Sequence, residues 1–72
     1  MYADIKLKGI DVVITVQDVK TIKIKGLHSD QTEEITDFES FAFFKNRPMK
    51  YVFVGKSILH VDGNSIEYVL FR

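Results

Sequence analysis

Two histidines, four serines and a run of five carboxylates are the side chains of this sequence whose types could support metal, nucleophilic or acid–base chemistry. A zinc site needs His, Cys or carboxylate ligands at close, regular spacing. Neither His28 nor His60 has such a neighbour, and the chain has no cysteine. His60 falls in an alternating segment and reads as a structural or surface residue, whereas His28 sits in a polar stretch. Asp62-Gly63-Asn64 has residue types found in calcium loops. It lacks their spaced oxygen ligands and closing glutamate, so it reads as a turn. No metal and no cofactor is expected.

Nucleophilic chemistry has equally little support. Ser29, Ser40, Ser57 and Ser65 have no nucleophile elbow around them. Ser57 and His60 alternate to opposite sides of one extended segment. Gly55-Lys56-Ser57 matches the end of a phosphate-binding loop, but Lys50 stands where that loop has its first glycine. A strand pattern then follows, where a helix N-terminus would have to receive the phosphate. The chain is expected not to be an enzyme.

Asp30, Glu33, Glu34, Asp37 and Glu39 follow one another with no Lys or Arg between them. A carboxylate pair does acid–base work when unequal burial separates the two pKa values. These five lie in a polar stretch, which makes them a solvated loop or a docking surface for a basic partner. Weakly basic regions flank them, and the formal net charge of the chain is zero. The overall basic field of a strong nucleic-acid binder is therefore absent.

The stretch from Phe41 to Gly55, FAFFKNRPMKYVFVG, interleaves rings with Lys45, Arg47 and Lys50. Single-strand binders stack bases on rings beside cations, and Lys45, Arg47, Lys50, Tyr51 and Phe53 would be the contacts. Core packing is the simpler use. A small chain without cross-links needs its large apolar side chains inside, where each Phe contributes roughly 1.5–3 kcal/mol. Phe38, Phe44 and Phe53 suit that role. Phe41, Phe43 and Tyr51 are candidates to face outward and form a protein interface.

The elements that position these residues are mostly strands. At 72 residues the chain allows one domain, spanning 1–72. Ala3, Ile5 and Leu7 alternate with Asp4, Lys6 and Lys8; Ile10, Val12, Ile14 and Val16 alternate with Asp11, Val13, Thr15 and Gln17. Ile22 and Ile24 alternate with Thr21, Lys23 and Lys25. This period of two predicts three strands, with turns at Gly9 and Asp18, arranged as an antiparallel meander. The lysines of the first and third strands would then share a solvent side.

Residues 31–37 read as a short turn or helix, with Asp30 and Glu33 at capping-box spacing, followed by a strand near 38–45. Pro48 interrupts. Met49 to Val54 is a strand with Tyr51 and Phe53 on one face, and Gly55-Lys56 supports a reversal. Ile58 to Val61 and Ile66 to Phe71 read as a hairpin joined through Asp62-Gly63-Asn64. Within the last segment, Ile66, Tyr68 and Leu70 oppose Glu67, Val69 and Phe71.

The expected fold is mostly β: a small antiparallel barrel or two packed sheets of about six strands, with at most one short helix. No leader-like segment or spanning helix is read, and the absence of cysteine fits a cytoplasmic protein. The expected function is that of a small non-catalytic protein-binding module: an adaptor, an inhibitor or a self-associating accessory subunit. Its candidate contacts are Asp30, Glu33, Glu34, Asp37, Glu39, Phe41, Phe43 and Tyr51. The alternative is single-stranded nucleic-acid binding through the basic and aromatic strand.

Overall fold

The computed structural model describes residues 1–26, 32–40 and 49–72. The candidates Asp30, Phe41, Phe43, Lys45 and Arg47, and the core candidate Phe44, lie outside the described residues. The described strands are β1 (Ala3–Leu7), β2 (Val13–Val16), β3 (Thr21–Gly26), β4 (Thr32–Ile35), β5 (Met49–Val54), β6 (Ile58–Asp62) and β7 (Ile66–Phe71). Short 3-10 turns occupy Phe38–Ser40 and Gly63–Ser65. The strands form two antiparallel sheets, a three-stranded one in the order β2-β1-β7 and a four-stranded one in the order β4-β3-β5-β6. This is the two-sheet form of the expected β architecture.

Alternation fixes what lies between the sheets. Ala3 and Ile5 of β1, Val16 of β2, Ile22 and Ile24 of β3, Tyr51 and Phe53 of β5 and Val61 of β6 are buried, with Val19 and Ile66. In the four-stranded sheet Phe53 lies between Ile22 on β3 and Leu59 on β6, and Tyr51 lies between Ile24 and Val61. Three strands of that sheet, β3, β5 and β6, thus share two inward rows.

The chain passes between the sheets at two corners. Asp18 adopts a left-handed backbone, φ 51°, a conformation Asp tolerates better than most residues. The Val19 amide then donates to Met1 O at 3.0 Å, just ahead of β1 of the three-stranded sheet. The next amide, of Lys20, donates to Val54 O at 2.8 Å, in the four-stranded sheet. β2 and β3 consequently do not pair, and the expected meander ends after its first hairpin. The lysines of β1 and β3 belong to different sheets, not to one shared surface.

Gly63–Ser65 forms the second corner. It carries the chain from β6 to β7, which pair with β5 and β1 respectively. The expected β6–β7 hairpin is therefore not formed. A Cβ on Gly63 would come to 2.7 Å from the Tyr51 ring. The glycine thus serves close packing on β5 at this corner rather than a hairpin turn.

Residues 32–35 form a strand where a turn or helix was expected. Only Ile35 is partly buried among its residues, so edge pairing with β3, rather than a periodic apolar signal, defines it. Phe38–Ser40 is a 3-10 turn where the following strand was expected to begin. Phe38 is drawn onto the molecule by stacking on Phe71, with centroids 5.1 Å apart and planes 10° from parallel. Ring stacking of this kind adds about 0.5–1.5 kcal/mol to the burial itself.

Candidate functional site

The outer face of the three-stranded sheet is built by period-two geometry and altered by one irregularity. On β1, Ala3 and Ile5 point inward, so Asp4 and Lys6 point outward. Lys6 is in register with Val13 on β2 and Tyr68 on β7; Asp4 is in register with Thr15 and Leu70. The β1–β7 register shifts between Lys6 and Leu7, since Leu7 pairs with Ile66 and Lys6 with Tyr68. Glu67 is the extra residue of this bulge, which reverses the alternation of the strand. Ile66 is buried, yet Tyr68 and Leu70 are 45% and 53% exposed, while Val69 and Phe71 turn toward the core. The expectation that Ile66, Tyr68 and Leu70 share a face is corrected by that one residue.

The charged groups at the centre of this face already have partners. The Lys6 ammonium donates to Glu67 Oε2 at 3.0 Å and to Leu7 O at 2.9 Å. The Asp4 carboxylate accepts from the Thr15 hydroxyl at 2.7 Å and from Arg72 Nε at 2.7 Å. Arg72 is held in place by a two-way backbone pairing, in which Tyr2 N donates to Arg72 O at 2.6 Å and Arg72 N donates to Tyr2 O at 2.9 Å. Its guanidinium carbon lies 5.0 Å from the Tyr2 ring centroid, within cation–π range. Around these paired charges stand Tyr2, Val13, Tyr68 and Leu70, all more than two-fifths exposed. What this face offers a ligand is apolar and aromatic contact.

The Arg72 hydrogen bond, followed by that from Thr15, holds the Asp4 carboxyl below its ordinary value of 3.8. The linkage sign follows directly: the folded state binds this proton less readily than the unfolded chain. The stabilisation is complete above the ordinary value and is lost as pH falls through the lowered one. Asp4→Asn should therefore be less stable than the parent near neutral pH. The gap should close below pH 3.8, as read by urea midpoints across an acid series.

The outer face of the four-stranded sheet has a different character. Lys25 and Lys50 stand directly opposite each other, with Asp62 next in the row. The adjacent row runs Glu34, Lys23, Val52, His60. Lys23 lies 3.9 Å from Glu34, so acids border the lysines on both flanking strands. No Phe or Tyr side chain belongs to these rows among the described residues.

Comparison with family models, curated proteins and solved structures found no match to this chain.

The sequence-predicted site residues divide accordingly. Glu33 and Glu34 are exposed on the edge strand β4, and Asp37 and Glu39 are exposed on either side of Phe38. Tyr51 was a candidate for an outward docking ring and, with Phe53, for base stacking; both are fully buried. They share the inward parity of β5, and only its other parity, Lys50, Val52 and Val54, faces out. Lys50 is exposed, but the rings proposed to act with it are not. Among the described residues no group of three or more His, Cys, Asp or Glu is gathered to hold a metal. No helix among them is long and apolar enough to cross a membrane.

Sequence reasoning missed Tyr2, Val13, Tyr68 and Leu70 as a surface. A usable signal was present. In VVITV and IEYVLF both alternating sets are largely apolar, so whichever set faces the core, the other presents apolar groups outward.

Proposed function

We propose that this chain is a small, non-catalytic, cytoplasmic protein-binding module whose contact surface is the outer face of the β2-β1-β7 sheet. One observation carries the reading: Val13, Tyr68 and Leu70 are exposed around central charges that are already paired within the chain. Tyr is among the residues enriched as interface anchors, and aliphatic neighbours such as Val13 and Leu70 exclude water around it. Satisfied charges can be covered without stranding a partnerless ion.

Affinity capture from extract of the source cells, comparing wild type with the double variant Tyr68→Glu/Leu70→Lys, tests the proposal. Each new charge faces an opposite charge on β1, Lys6 or Asp4, so the fold should persist. The wild type should retain a protein that the variant binds at least tenfold more weakly, in line with the loss of an interface anchor. Equal retention would contradict the proposal. So would capture of nucleic acid that is lost when Lys23, Lys25 and Lys50 are neutralised.

A further inference from the structure

We infer that the outer edge of β2 is an addition site for a second copy of this chain, with β2 pairing against β2 in antiparallel fashion. The inference goes beyond the protein-binding reading, since it concerns the backbone edge of the sheet rather than its outer face. β2 is the end strand of its sheet, and among the described residues no strand pairs with its far side. An open edge presents unpaired amide and carbonyl groups that another extended strand can satisfy.

Charge selects which edge and which strand. Natural edges are commonly protected by charged side chains, proline or bulges. Val12 to Gln17 contains no charged residue and no proline, and neither register shift nor bulge interrupts the β1–β2 pairing. The other three edges differ. β4 carries Glu33 and Glu34, β6 carries Asp62, and β7 carries Glu67 with its bulge. Self-pairing of β4 would bring carboxylates against carboxylates, which is destabilising. β2 can pair with itself without that conflict.

The register centred on Ile14 is the most complementary. It opposes Ile14 to Ile14, Val13 to Thr15 and Val12 to Val16, and Asp11 faces Gln17 rather than another acid. A shift toward Val13 would bring Asp11 to Thr15, whose hydroxyl already serves Asp4. A shift toward Thr15 would set Val12 against Asp18. In the Ile14 register Val12, 60% exposed in the single chain, gains an apolar neighbour. The two three-stranded sheets become one continuous sheet, and their apolar outer faces join across the twofold axis.

Sedimentation equilibrium across a wide concentration range, on wild type, Val12→Lys and Ile58→Lys, tests this. Ile58 is a matched control, 62% exposed on the β6 edge of the other sheet. Wild type and Ile58→Lys should show the same reversible monomer–dimer equilibrium, and Val12→Lys should weaken it at least tenfold. Amide hydrogen exchange provides a second reading, with protection of β2 amides rising with concentration. A wild type monomeric throughout overturns self-addition while leaving the capture result above to judge protein binding separately. A dimer unaffected by Val12→Lys, or one without concentration-dependent protection in β2, overturns the assignment to this edge.

Discussion

Phe53→Ala should lower the stability of the fold by about 3–5 kcal/mol, the usual cost of removing a fully buried ring. Phe53 is 0% exposed and lies between Ile22 and Leu59 in the interior of the four-stranded sheet. Neighbours on both sides are fixed by strand pairing, so the cavity cannot close without disturbing two ladders. Stabilities of about 0.05–0.15 kcal/mol per residue leave a chain of 72 residues with little to spare. The variant should therefore be largely unfolded at physiological temperature, as read by denaturant titration. Phe53→Leu, which keeps most of the apolar volume, should cost much less. If Phe53→Ala instead unfolded at the wild-type midpoint, the ring would not be in the core.

Gly55→Ala should be the second most damaging single change, at about 1–3 kcal/mol, the range for forced overpacking. Gly55 follows β5 and packs against the first inter-sheet corner. A Cβ there would collide with Gln17 O and come to 2.9 Å from Asp18 O. Both are backbone atoms and cannot rotate aside. The corner is also tied by the Lys56 amide, which donates to Gln17 O at 2.8 Å. Moving the loop to admit a methyl group would strain that bond and the left-handed Asp18 beside it. Gly9→Ala is the informative comparison: a Cβ there meets nothing within 4 Å, but φ is +74°, so its cost is conformational alone, about 1–2 kcal/mol. Thermal unfolding of the two variants separates collision from backbone preference.

The strand content of this molecule was readable wherever one side of the chain is polar. β1 and β3 alternate cleanly, whereas β5 is marked by two rings on one parity, and Ile5, Ile22, Ile24, Tyr51 and Phe53 follow as the inward residues. Connectivity was less legible. The Asp62-Gly63-Asn64 sequence favours a hairpin locally, but packing of Gly63 against Tyr51 and pairing of β7 with β1 make it a corner between sheets. Likewise Asp18 was recognisable as a turn, yet nothing local indicates that Val19 and Lys20 bond to different sheets. β4 escaped because a polar edge strand has no apolar period and owes its conformation to β3.

The site was harder to read for a related reason. Strand parity can be inferred only while it is unbroken, and the Glu67 bulge inverts it partway along β7. Tyr68 and Leu70 are thereby transferred from the face of Ile66 to solvent. Tyr51, by contrast, was within reach: once Phe53 is assigned to the core, alternation takes Tyr51 inward with it. The acidic run from Asp30 to Glu39 was visible as composition, but its described members are divided between β4, at the edge of the four-stranded sheet, and the turn around Phe38.

Recognition is proposed for the outer face of the β2-β1-β7 sheet. Amide chemical-shift mapping on the labelled chain, with the co-purifying protein added, tests it most directly. Perturbations should centre on Lys6, Val13, Tyr68 and Leu70, with β3 and β5 unchanged. Perturbations centred instead on Lys23, Lys25, Lys50 and His60, with the three-stranded sheet silent, would contradict it.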